Sequence, residues 1–196
     1  MKEIKKILNS DFNINKLKIG NKSVIMKENE FDFIHLAIKS RLNKEVKELK
    51  KLYQATIDGD GVINFHSRCD NIPNTLVVIK SAGNRRFGGF TTIPWTSSNG
   101  ECKDDPNAFL FSIDKQKIYS YKNDGKAIYT NKNYGPAFGY GCDIYIGPHC
   151  IQDKKLYTCE SSSSSYNFNG DNNALSEDGR CSWIYASEYE VFQVIF

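Results

Sequence analysis

The sequence predicts a β-rich α+β fold, a sandwich of two antiparallel sheets flanked by helices. Three observations predict it. Beyond residue 52, short apolar runs alternate with turn signals roughly every ten residues, the texture of an antiparallel sandwich. Residues 134–146, YGPAFGYGCDIYI, carry glycines around a tyrosine and then an apolar strand. Glycine lets a second backbone approach closely, so this stretch reads as a tight crossing in a β core. The longest helical periodicity lies ahead of residue 52, where the texture of the chain changes.

The elements follow in order. Ile4, Ile7 and Leu8 stand at helical spacing among lysines, a short amphipathic helix, and residues 11–20 form a polar link. Phe31, Ile34, Ile38 and Leu42 repeat with a period near 3.6, with Glu28 and Glu30 in the first turn, where the helix dipole favours them. Val46, Leu49 and Leu52 continue that apolar face. His35 beside the stripe reads as a boundary residue. Residues 52–56 read as a strand closed by the turn Asp58-Gly59-Asp60-Gly61. That turn has the opening of a calcium loop, but its twelfth position is Cys69 where such a loop needs Glu, so it is taken as a turn. Residues 62–69 suit a short helix with Phe65 and Cys69 on one side. Residues 75–80, TLVVIK, read as a buried central strand. A turn and a second strand, residues 87–92 with Gly88 and Gly89 inside it, make a hairpin. Trp95 follows a proline, and a polar loop runs to Pro106. Strands are expected at 108–113, 118–121, 127–130, 143–146 and 189–196. Residues 161–180, opening in a polyserine run, read as a surface loop. Gly139 or Gly141 is expected to need a backbone geometry hostile to Cβ. Asp143 and Glu190 flank apolar strand residues and read as internal hydrogen-bond partners.

At 196 residues and 40% hydrophobic content the chain suits one domain with a helical extension. The net charge of +3 does not call for nucleic acid. Residues 1–51 hold thirteen basic and seven acidic residues, and the remainder thirteen and sixteen. A basic front therefore precedes a slightly acidic body, which suits a solvated face better than an anionic partner. The N-terminus has no apolar core of signal-peptide length, and no stretch is long enough to enter a membrane. Six cysteines in a chain without an export signal are expected to be free thiols, in the cytoplasm. The sequon Asn21-Lys22-Ser23 is then a chance match.

Candidate chemistry is sparse. His66 with Cys69, and His149 with Cys150, are ligand types, but a structural zinc site shows two close ligand pairs at a set spacing, and these do not. No metal or cofactor is expected. A Cys–His nucleophile needs a third, orienting group that nothing in the spacing supplies. The glycines around Tyr140 lack the Lys-Ser/Thr and the following helix of a phosphate loop. Arg85 and Arg86 at the hairpin tip, with Trp95 at the end of the next strand, have the composition favoured at protein interfaces. A tryptophan there also suits a half-buried core position.

The segments LYQATIDGD, FHSRCD, TLVVIKS, FGGFTTIPW, DPNAFLFSI, AIYTNKNYGPAFGYGCDIYI and EYEVFQV together resemble the TLDc domain of the oxidation-resistance proteins. The core of the resemblance covers residues 52–196. With its leading helices the domain would span 28–196, after a basic N-terminal segment at 1–27. The resemblance implies a sandwich of two antiparallel sheets with helices at its side. It implies a non-catalytic binding module that supports resistance to oxidative stress. The partner implied is the peripheral sector of the vacuolar proton-pumping ATPase, so the protein would be cytoplasmic and held at organelle membranes through that partner. Family members often carry His where this chain has Cys142. Some continue into a C-terminal helix that grips the partner, and the expectation here is a grip without it. The alternatives are a thiol-dependent antioxidant enzyme, with Cys150 beside His149 as its thiol, or a structural component of a larger assembly.

Overall fold

The structure is a computed structural model that describes residues 18–20, 23–140, 143–160, 165–175 and 181–196. The helix expected at residues 2–8 and the expectation for Gly141 fall outside the described residues. In chain order the strands are β1 (Lys18–Gly20), β2 (Glu48–Gln54), β3 (Thr75–Ser81), β4 (Arg86–Thr91), β5 (Glu101–Lys103), β6 (Phe109–Ser112), β7 (Lys117–Ser120), β8 (Ile128–Thr130), β9 (Ala137–Phe138), β10 (Ile144–Ile146), β11 (Leu156–Thr158), β12 (Ser182–Ile184) and β13 (Ala186–Ile195). The helices are α1 (Asp32–Leu42), α2 (Ala55–Asp58) and α3 (Val62–Cys69), with a 3₁₀ turn at Glu28–Glu30.

A seven-stranded sheet runs β1-β2-β13-β3-β4-β6-β7, and a six-stranded sheet runs β12-β11-β10-β9-β8-β5. All pairings are antiparallel except β1 with β2. The side chains of the larger sheet alternate between two cores. Val77, Ile79, Phe87, Leu110, Tyr119 and Val191 face the second sheet. Leu76, Val78, Phe90, Phe109, Phe111, Phe192 and Val194 face the other way, under Phe31, Ile34 and Ile38 from the N-terminal lead. The larger sheet is thus a middle layer, which is why residues 75–80 read as a continuous apolar run rather than an alternating one.

The lead is fastened to this sheet by two carboxylates. Buried Glu190 accepts the Ser23 hydroxyl, the Val24 amide at 3.1 Å and the Lys51 ammonium at 2.5 Å. Ser23 Oγ in turn takes the amides of Ile25 and Met26. Glu30 pairs with Arg86 Nη1 at 2.8 Å. Burial opposes its ionisation, but the Arg86 guanidinium outweighs that and holds the Glu30 carboxyl below its ordinary value. The helix ends at Asn43, whose φ of 52° is the left-handed stop that asparagine tolerates.

The structure corrects the sequence reading at β2. Val46, Leu49 and Leu52 do not extend the helix; the chain is already extended from Glu48 and turns helical at Ala55. Lys51 opposes Phe192 and Tyr53 opposes Val191, so Leu52 is an extra residue in the ladder. This bulge shifts the parity, and Leu49 enters the outer core while Tyr53 enters the inner one. An apolar residue at every third position, which suits a helix, here falls on an extended and bulged segment. The 161–180 reading also changes. Ser165 is buried, and Tyr166, Phe168, Ala174 and Leu175 enter the inner core. Short strands β5, β9, β11 and β12 were invisible in polar or turn-rich sequence.

Glycines allow close approach both within the larger sheet and between the two sheets. A Cβ on Gly88 would stand 1.9 Å from the Val77 carbonyl oxygen, and one on Gly89 would stand 2.6 Å from the Phe138 ring of the other sheet. Gly139 has φ +77°, and a Cβ there would stand 1.9 Å from Asp143 Oδ2. That carboxylate is fully buried and accepts the amides of Ser165 at 3.0 Å and Tyr166 at 3.3 Å.

Candidate functional site

The hairpin expected to bind a partner does not assemble one site. Lys80 opposes Arg86 at one end of the β3–β4 ladder, and Thr75 opposes Thr91 at the other. Trp95 lies at the Thr75 end, about 17 Å of strand from Arg86. It is 1% exposed, donates Nε1–H to Thr75 Oγ1 at 2.9 Å and packs edge-on against Phe65 and Phe138. A tryptophan whose only donor is satisfied inside the core has nothing left to offer a partner. Arg86 is also engaged: besides Glu30 it pairs with Asp114 at 2.9 Å and donates to the Ile25 carbonyl. Arg85 stands half-exposed beside it.

The residues that do come together are aromatic and lie on the outer face of the second sheet. Tyr157 opposes Trp183 across β11–β12, and Tyr145 opposes Tyr157 across β10–β11. The Trp183 ring meets Tyr157 at 5.0 Å and Tyr145 at 5.5 Å. Tyr145 meets Tyr134 at 4.7 Å, Tyr134 meets Tyr129 at 6.3 Å, and Tyr129 meets Tyr140 at 6.0 Å. The Lys126 ammonium sits 5.1 Å over the Tyr140 ring at the end of this chain of rings. Most of these contacts are edge-to-face, the arrangement favoured by the ring quadrupoles. Tyr140 is 60% and Trp183 45% exposed, and the other four are partly exposed.

Local sequence explains the placement. The strands read Ile-Tyr-Thr in β8, Ile-Tyr-Ile in β10, Leu-Tyr-Thr in β11 and Ser-Trp-Ile in β12. The flanking residues of β8, β10 and β11 point into the sandwich, and the central aromatic points out. This repeated pattern is the signal that sequence reading missed, because each strand is only three residues long. Tyr134 is placed by the loop ahead of β9. Its carbonyl accepts from His66 Nε2 at 2.9 Å, and the next amide, of Gly135, donates to Ile146 at 2.8 Å.

The groups considered for catalysis are tied up in structural bonds. His66 places Nδ1 2.7 Å from Asp70 and Nε2 near the carbonyls of Asn131 and Tyr134. Ser97 donates to Asp70 at 2.7 Å rather than to the histidine, so the three do not form a nucleophilic triad. They line an open cleft of about 430 Å³ with Ile63, Ser67 and Lys132. Cys150 is fully buried, and its thiol is directed at Asp60 Oδ1, 3.4 Å away. Burial, then the Asp60 carboxylate, pushes this thiol well above its ordinary value. Among the described residues no three His, Cys, Asp or Glu side chains converge as a metal site, and no helix is long and apolar enough to cross a membrane.

The expectation of six free thiols is overturned. Cys159 and Cys181 form a disulfide, while Cys69, Cys102 and Cys150 are free. The register explains the pairing. Thr158 opposes Ser182, so the next residues outward along the β11–β12 ladder are these two cysteines. Cys142 is outside the described residues.

No curated protein matches the chain. The TLDc domain, however, matches residues 19–195, nearly the whole sequence and all of the two-sheet fold described above except Lys18. The chain therefore belongs to the TLDc domain family.

Proposed function

We propose that this chain is a non-catalytic binding module that docks on the peripheral sector of the vacuolar proton-pumping ATPase and so supports resistance to oxidative stress. It acts in the cytoplasm, recruited to organelle membranes through that partner. The aromatic chain on the outer face of the second sheet carries the reading. Tyrosine and tryptophan combine apolar area with a polar tip, so they tolerate water and yet bind strongly when a partner covers them. Membership of the TLDc family supports the choice of partner. The thiol-enzyme alternative draws no support from Cys150, which is buried beside a carboxylate where a reactive thiolate needs exposure and a cation.

The test is co-purification with the proton pump, with the melting temperature measured on every variant. Tyr145→Ala combined with Trp183→Ala is expected to weaken binding about tenfold or more while the fold survives. Unimpaired co-purification by this variant at an unchanged melting temperature would overturn the aromatic face as the docking surface. Reversing Arg86 is a poor test, because it also breaks the Glu30 and Asp114 pairs that hold the lead.

A further inference from the structure

β12 is the weakest-held strand of the aromatic face. It has three residues and, among the described residues, lies at the edge of its sheet, paired with β11. A strand this short at an edge has marginal stability by itself. Among the described residues, a tether is seen at each of its ends. At its C-terminal end the chain runs directly into β13, where the Tyr185 carbonyl accepts the Ala82 amide and the Ala186 amide donates to Cys150. At its N-terminal end the tether is the Cys159–Cys181 disulfide, one residue outside the Thr158–Ser182 pair. Cys159 is buried and Cys181 is exposed, so one sulfur of the bond is open to an attacking thiolate.

The segment between the two cysteines has anchors of its own. Leu175 donates its amide to Glu160 at 2.9 Å. Tyr166 donates its hydroxyl to the Ala127 carbonyl at 2.7 Å. Asp171 accepts the Tyr119 hydroxyl and pairs with Lys115 and Lys117. Opening the disulfide therefore leaves residues 165–175 anchored in the core and removes the covalent tether at the N-terminal end of β12. What β12 carries is Trp183, the ring in contact with both Tyr145 and Tyr157.

We infer that the Cys159–Cys181 disulfide is a redox clasp on the aromatic face: closed, it holds β12 and Trp183 in place for docking; opened by a dithiol reductant, it releases them. The docking part rests on the function proposed above. The thiolate of the dithiol attacks Cys181 Sγ, the Cys159–Cys181 bond breaks, and Cys159 leaves with the electron pair and takes up a proton. The second thiol of the reductant, as thiolate, then attacks the reductant sulfur of the mixed disulfide. Cys181 leaves and is protonated, and the reductant departs as a cyclic disulfide. Two electrons pass from the dithiol to the protein.

The experiment compares the whole oxidised chain, the same chain reduced with dithiothreitol, and a Cys159→Ser/Cys181→Ser variant. Alkylation in denaturant is expected to add two fewer labels to the oxidised chain than to the reduced one. Amide hydrogen exchange over residues 182–184 is expected to run about tenfold or more faster in the reduced chain and in the variant, with β3 and β13 unchanged. Pump co-purification is expected to fall in parallel. Equal label counts, or equal exchange at residues 182–184 in all samples, would overturn the clasp. Faster exchange with unaltered co-purification supports the clasp as a structural device and counts instead against docking through Trp183. The two readings thus fail separately.

Discussion

The two sheets of this molecule each turn one face inward, and their outward faces are built from different residues. The larger sheet presents Leu76, Val78, Phe90, Phe109, Phe111, Phe192 and Val194, each at most 1% exposed beneath the N-terminal lead. The smaller sheet presents five tyrosines and a tryptophan that remain partly exposed. Phenylalanine and aliphatic side chains have no polar atom, so a face made of them requires a permanent cover. Tyrosine and tryptophan can stand in water and can also be buried against a partner. One outer face is therefore committed to intramolecular packing and the other is left available, and side-chain chemistry records the difference.

The largest expected effect tests the covered face. Phe192→Ala removes a fully buried ring from beneath α1 and should cost about 3–5 kcal/mol, whereas Tyr157→Ala on the open face should cost roughly 1 kcal/mol or less. Chemical denaturation of both variants measures the contrast, and equal costs would break the comparison of faces. Gly139→Ala comes next, at the turn that leads from β9 towards the open face. It forces a Cβ into the left-handed region and against the Asp143 carboxylate, with an expected loss of about 1–3 kcal/mol. A melting curve matching the parent chain would refute that strain.

Smaller effects concern the fastenings. Arg86→Met leaves Glu30 and Asp114 without their shared cation and should cost roughly 1–2 kcal/mol. Hydrogen exchange should show the loss concentrated in the lead and α1, with the aromatic face unaffected. The smallest effect is a pH dependence. Burial opposes ionisation of Asp171, but Lys115, Lys117 and the Tyr119 hydroxyl outweigh it and bring its carboxyl down to about 2 from an ordinary 3.8. A depressed value means that the unfolded chain binds the proton more readily. The stabilisation is thus complete above about pH 4 and is lost as the pH falls towards 2. Asp171→Asn should flatten that part of the stability profile, and an identical acid limb in the variant would show that the pairing contributes nothing.

Much of the fold was legible in the sequence, and the errors have identifiable causes. The apolar run at 75–80 and the period of Phe31, Ile34 and Ile38 are strong signals because burial repeats along several consecutive residues. At β2 the helical spacing of Val46, Leu49 and Leu52 misled, because a bulge imitates it. The aromatic face was missed because its strands hold three residues each, too short for alternation to register. Arg85, Arg86 and Trp95 were grouped by proximity in sequence, but a hairpin strand places Trp95 at the end away from the arginines.

By itself the sequence determined the layers: which runs are apolar on both sides, where the helix lies, and which glycines must admit a neighbouring backbone. These follow from local composition and periodicity, which act over a few residues. Tertiary structure alone decided the disulfide and the aromatic chain of rings. Cys159 and Cys181 are 22 residues apart, and rings from Tyr129 to Trp183 come from separate strands and loops. Which of them become neighbours depends on strand order and register, and those are set by how two sheets bury their shared core, a property of the whole chain.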